Sequence, residues 1–133
     1  MTRLIALLLL TAAMLSFGSL VSGAGYLELL LPGGLPVGNA LAATGLCALA
    51  AAALQLSTPG STCRRVAQGA VLAAILWLPV SVALAGNLAL NFSANRGSAW
   101  LVLSLLTAVV VLGSLAWSVI TALGAMLKRS GAA

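Results

Sequence analysis

A chain of 133 residues with 62% hydrophobic side chains, 5% charged ones and a mean hydropathy of +1.21 does not fit a soluble globule. An average soluble domain carries about 25% charged residues, and a chain this short has too little interior to hide so much apolar surface from water. Six of the charged side chains are basic and Glu28 alone is acidic. The basic ones stand in ones and twos at the ends of apolar runs, so they read as orientation signals rather than as a nucleic-acid surface.

The composition places the chain in a lipid bilayer as an all-α bundle of four transmembrane helices in a single membrane domain, residues 1–133. The predicted spans are 4–24, 38–56, 66–87 and 98–126, followed by a tail, 127–133. Each provides close to the roughly 20 apolar residues that a hydrocarbon core of about 30 Å requires. Each must be helical because lipid offers backbone groups no partners. Runs such as LLLL and LAAAAL lack the alternation of a membrane β-barrel.

Within the first span, Gly18/Ser22 offers small residues at the spacing that lets helix backbones approach closely. The stretch from Arg3 to Ser22-Gly23-Ala24 also resembles a signal peptide. Its apolar run from Leu4 to Val21 exceeds the usual h-region of about 7–15 residues, which favours a retained helix. The connector 25–37 holds Pro32, Gly33, Gly34 and Pro36, so no helix continues through it. Its segment Tyr26–Leu31 is too apolar for a free loop and is expected at the membrane interface.

The second span is small almost throughout, which predicts a central position. Residues 57–65 form a polar turn around Pro59-Gly60. The third span carries Gly69/Ala73 as a packing pair and Pro79 near its middle, where a kink is expected. The connector 88–97 contains Arg96. The fourth span aligns Ser114 and Ser118 on one face, with Trp100 as an anchor at its outer end.

Charge orients the bundle. With four spans both termini share a side, and Arg3, Arg64, Arg65, Lys128 and Arg129 lie there together. The positive-inside rule makes that side cytoplasmic, so both termini are cytoplasmic. The opposite side keeps Glu28 and Arg96, which are expected to pair across the outer loops with about 0–1 kcal/mol of stabilisation.

Depth adds one candidate ligand site. Counted from Arg65 and from Lys128, Trp77 and Trp117 both lie about 16–18 Å from the cytoplasmic ends. Together with Pro79 they are candidates to line a midplane pocket for an apolar ligand. The competing reading is that both indoles are packing bulk with one satisfied N–H each.

The catalytic inventory is nearly empty. With no His, no Asp and one Glu, neither an acid–base pair nor a nucleophilic triad can be assembled. Cys47, within the second helix, and Cys63, expected in a loop, have neither the spacing nor the company of a metal site. No cofactor and no enzymatic activity are expected. Asn91-Phe92-Ser93 matches a glycosylation acceptor, of little weight in a chain whose Ala/Leu-rich style suggests a bacterial inner membrane.

The number and size of the spans are similar to those of small multidrug-type transporters and small fluoride channels. The glutamate those transporters carry in the middle of their first helix is absent, where this chain reads Leu10-Thr11-Ala12-Ala13-Met14. Three roles fit such a chain. The first is an accessory or assembly subunit of a larger inner-membrane complex. The second is a small pore or carrier for an uncharged or apolar solute, built as a homo-oligomer. The third is a holin or immunity-type protein.

Overall fold

Each apolar run folds as one continuous helix. The computed structural model describes residues 2–23, 25–85 and 97–130. They form α1 (Thr2–Val21), α2 (Val37–Leu56), α3 (Thr62–Ala85) and α4 (Gly97–Ser130). All four are long and apolar enough to cross a membrane. At 1.5 Å per residue the 20 residues of α1 extend about 30 Å, whereas the 34 of α4 extend about 51 Å.

The helix ends differ from expectation where capping chemistry decides them. α3 begins at Thr62 rather than Val66, taking Cys63, Arg64 and Arg65 into its first turns. Ser61 explains this, because its hydroxyl accepts the Arg64 backbone N–H at 3.1 Å, the N-cap arrangement that satisfies an orphan donor of the first turn. Ser61→Ala is therefore expected to lower stability by about 1 kcal/mol. A denaturant titration followed by circular dichroism measures this.

Between α1 and α2 the chain makes a short 3-10 turn, Gly25–Glu28, and then a tight reversal. Leu31 donates its backbone N–H to Leu35 at 2.8 Å and Val37 donates to Leu29 at 2.9 Å. The tip uses Gly33 at φ +96° and Gly34 at φ +80°, a region that side-chain-bearing residues rarely enter. The reversal leaves Leu29, Leu30 and Leu31 exposed.

α2 is the hub. Buried residues make up 56% of its span, against 17% in α1 and in α4. It packs against all three other helices, while α1 packs mainly on α2 and α3 pairs with α4. The small residues expected to make α2 central do so, with Ala42, Ala43, Ala50, Ala52 and Ala53 buried. The hydrophobic core joins these alanines and Leu46 to Ala70, Ala74 and Trp77 of α3 and Val111 of α4.

Two expected packing pairs sit largely outside the buried faces. α1 buries Ala6, Ala13 and Ser16, while Gly18 and Ser22 are exposed and a Cβ at Gly18 would meet nothing within 4 Å. On α3, Gly69 is exposed and Ala73 half-buried. The large side chains settle which face turns inward. Phe17 seats on α2 through Gly45, where a Cβ would stand 2.7 Å from the ring, and Trp77 fills the core between α3 and α4. Once these rings are placed, the faces through Gly18 and Gly69 point outward.

Candidate functional site

The α3–α4 seam carries most of the polar chemistry. Trp77 donates its indole N–H to the Ser104 hydroxyl at 3.0 Å, and Trp100 donates to the Ser81 hydroxyl at 2.7 Å. The two pairs mirror each other because each helix presents Trp and Ser four residues apart, Trp77/Ser81 on α3 and Trp100/Ser104 on α4. Residues four apart share a helix face, so two antiparallel helices bearing this pattern satisfy each other twice. Further along, Cys63 Sγ lies 3.3 Å from the Ser118 hydroxyl.

All three contacts share one antiparallel register, since Cys63 to Trp77 and Ser104 to Ser118 are equal steps along the chain. That register sets Ala67 opposite Ser114, Ala70 opposite Val111 and Ala74 opposite Thr107. Every one of these six is buried. Alanine against hydroxyl or valine is the small-residue packing that allows close helix approach. Ser114 and Ser118 both lie on this seam, but only Ser118 bonds across it. The hydroxyls of Ser114 and Thr107 donate to carbonyls of their own helix, Val111 at 2.8 Å and Leu103 at 2.9 Å, the local alternative open to Ser and Thr.

The register separates the two candidate pocket tryptophans. Trp117 precedes Ser118 and is therefore level with Cys63 and Arg64. Trp77 is level with Ser104, about 20 Å further along the bundle. Trp77 is buried while Trp117 is 42% exposed, and Pro79 lies on the exposed side of α3. The expectation of equal depth fails because α4 overshoots α3. Lys128 lies about 15 Å beyond the level of Cys63, so it is not a depth marker equivalent to Arg65. The three residues do not form one pocket.

Cys63 is buried in the first turn of α3 rather than placed in a loop. Cys47 is half-buried on α2, and both thiols are free. Among the described residues no group of His, Cys, Asp or Glu is placed to hold a metal ion. Glu28 is exposed in the 3-10 turn. Arg96, its expected partner, lies outside the described residues.

Arg3, Arg64, Arg65 and Lys128 lie at one end of the bundle, where α1 and α3 begin and α2 and α4 end. Arg64 reaches across to donate to the Leu54 carbonyl in the last turn of α2 at 3.4 Å, and the Ser57 hydroxyl donates to the same oxygen at 2.8 Å. A cation and a hydroxyl on an orphan carbonyl stabilise a helix C-terminus. Beside this cap, α1, α2 and α4 enclose a cleft of about 170 Å³, walled by Thr2, Arg3, Gln55, Thr58, Ala125 and Met126. The grooves flanking α1 are larger and almost wholly apolar, one lined by Leu10, Met14, Phe17, Val21 and Leu49.

No family model, curated protein or solved structure matches this chain. The fold therefore rests on its own residues. Three features that organise it escape a reading by apolar runs, namely the repeated Trp–Ser spacing, the Phe17–Gly45 contact and the Ser61 cap. The first and third leave a signal in the sequence. The second leaves none, because Phe17 and Gly45 become neighbours only when α1 turns back onto α2.

Proposed function

We propose that this chain is a non-enzymatic, four-span protein of the bacterial inner membrane, with both termini cytoplasmic, serving as an accessory or assembly subunit of a larger membrane complex. The observation that carries the reading is how the polar groups are used. Among the described residues every buried side-chain nitrogen and oxygen has a partner, and the seam hydroxyls bind an indole, a thiol or their own helix. A bundle whose interior polarity is spent on holding its helices together offers a solute no polar route of its own. Its outer faces are apolar along Leu7, Met14 and Leu15 of α1 and Leu105, Val109 and Leu112 of α4. Lipid and partner helices are the surroundings such faces fit. The cationic end formed by Arg3, Arg64, Arg65 and Lys128 supports the cytoplasmic assignment of the termini.

The test is purification of the tagged chain from membranes in a mild detergent, with mass spectrometry of what accompanies it and a native mass of the complex. A larger membrane protein recovered in fixed stoichiometry is the expected result. Recovery as a partner-free homo-oligomer, with solute flux into liposomes made from this chain alone, would replace the subunit reading with a pore or carrier.

A further inference from the structure

We propose that the cleft at the basic end binds a phosphate group, with the headgroup of an anionic phospholipid as its source. The lipid source rests on the membrane reading above. The binding chemistry rests on the cleft itself.

Two separate stretches of chain bring hydrogen-bond donors to this one place. Arg3 and Thr2 come from the first turn of α1, Gln55 from the last turn of α2, and Thr58 from the turn that follows. None of these side chains has a hydrogen-bond partner among the described residues, in contrast to Arg64 nearby, which is held by the Leu54 carbonyl. Nor, among the described residues, is any carboxylate paired with Arg3. The chain's only acid, Glu28, follows α1 at its far end. A guanidinium fork, an amide and hydroxyls match the several acceptor oxygens of a phosphate.

Size and surroundings narrow the ligand. About 170 Å³ admits a phosphate together with its nearest waters. Leu56, Ala125 and Met126 add apolar lining to the cleft, against which the start of an acyl-glycerol unit can lie. Basic pockets between membrane helices on the cytoplasmic side are suited to anionic lipid headgroups.

The test uses the full chain in a nonionic detergent and native mass spectrometry. The three probes are phosphatidylglycerol, a diacylglycerol with the same acyl chains, and inorganic phosphate. Phosphatidylglycerol is expected to be retained and diacylglycerol lost. Arg3→Gln is expected to weaken phosphatidylglycerol binding about tenfold, as the loss of a charge-assisted hydrogen bond implies. Arg65→Gln, an exposed cation at the same end, should change it by less than about twofold if the cleft rather than the general field is responsible. Gln55→Leu is the second variant and is expected to weaken binding without altering charge, and helix content by circular dichroism verifies that each variant is folded. Inorganic phosphate displacing the lipid at equal concentration would keep the phosphate site and overturn its lipid source. Equal retention of the two lipids, or equal losses for Arg3→Gln and Arg65→Gln, would overturn the site. Extraction of the wild-type chain from membranes by alkaline carbonate would overturn the membrane reading, while the inorganic phosphate measurement still tests the cleft.

Discussion

Replacing Trp77 with alanine is expected to destabilise the isolated bundle by about 3 kcal/mol, while the same change at Trp117 stays within about 0.5 kcal/mol. The two indoles look alike in sequence, each within an apolar run. Trp77 is 3% exposed and belongs to the core cluster with alanines of α2 and α3, whereas Trp117 is 42% exposed. Truncating Trp77 removes its dispersion contacts and leaves a cavity among residues that are already small and cannot collapse to fill it. The expected loss lies at the low end of the range for buried aromatics, because in the detergent-unfolded reference state the indole meets detergent rather than water.

Trp77→Phe separates bulk from hydrogen bonding. It is expected to cost about 0.6 kcal/mol for the lost bond to Ser104, beyond a small packing loss, because the freed Ser104 hydroxyl can turn to the Trp100 carbonyl of its own helix. Unfolding by sodium dodecyl sulfate, followed by circular dichroism so that the indoles are not the probe, orders the variants. Equal losses at Trp77 and Trp117 would mean that the register of α3 against α4 is wrong.

Gly45→Val is expected to destabilise the protein by about 2 kcal/mol through overpacking, with the damage confined to the docking of α1 on α2. The Cβ alone would stand 2.7 Å from Cε2 of Phe17 and 2.8 Å from Cζ, so the ring must leave its seat. Gly45→Ala is milder, because the gain of roughly 1 kcal/mol in helix propensity opposes the displacement of a half-buried ring that has room to move. The informative measurement is a double-mutant cycle. Phe17→Ala destabilises the wild type but is expected to restore at least half of what Gly45→Val loses. Strict additivity would show that Phe17 and Gly45 do not touch. α1 packs mainly on α2, so the Gly45→Val protein is expected to lose α1 in a separate early transition.

The sequence was legible where one residue type repeats along a helix, and opaque where two helices had to be aligned. The four runs, their helicity and the hub position of α2 follow from local composition, since apolar runs of this length can satisfy their backbones only as helices and an alanine-rich helix accepts close neighbours. The small-residue pairs at Gly18 and Gly69 were readable as motifs, but several faces of α1 and α3 carry such residues. Which face turns inward is chosen by Phe17 and Trp77, whose partners are distant in sequence. Ser61 was readable as a cap and set the true start of α3. The pairing of Glu28 with Arg96 lies outside the described residues.

What the sequence determined by itself is the solvent class implied by the composition, the number of helices and the chemistry that is missing, because each depends on counts and on local periodicity. What the tertiary structure alone decided is register. Fixing Cys63 beside Ser118 and Trp77 beside Ser104 separated Trp77 from Trp117, buried a thiol expected in a loop and let α4 overshoot α3. The same assembly brought Arg3, Gln55 and Thr58 around one cleft. An apolar helix can slide along or rotate against its neighbour with little change in the surface it removes from solvent. Its final position is therefore set by a few large rings and hydroxyl contacts between residues far apart in the chain, which composition does not encode.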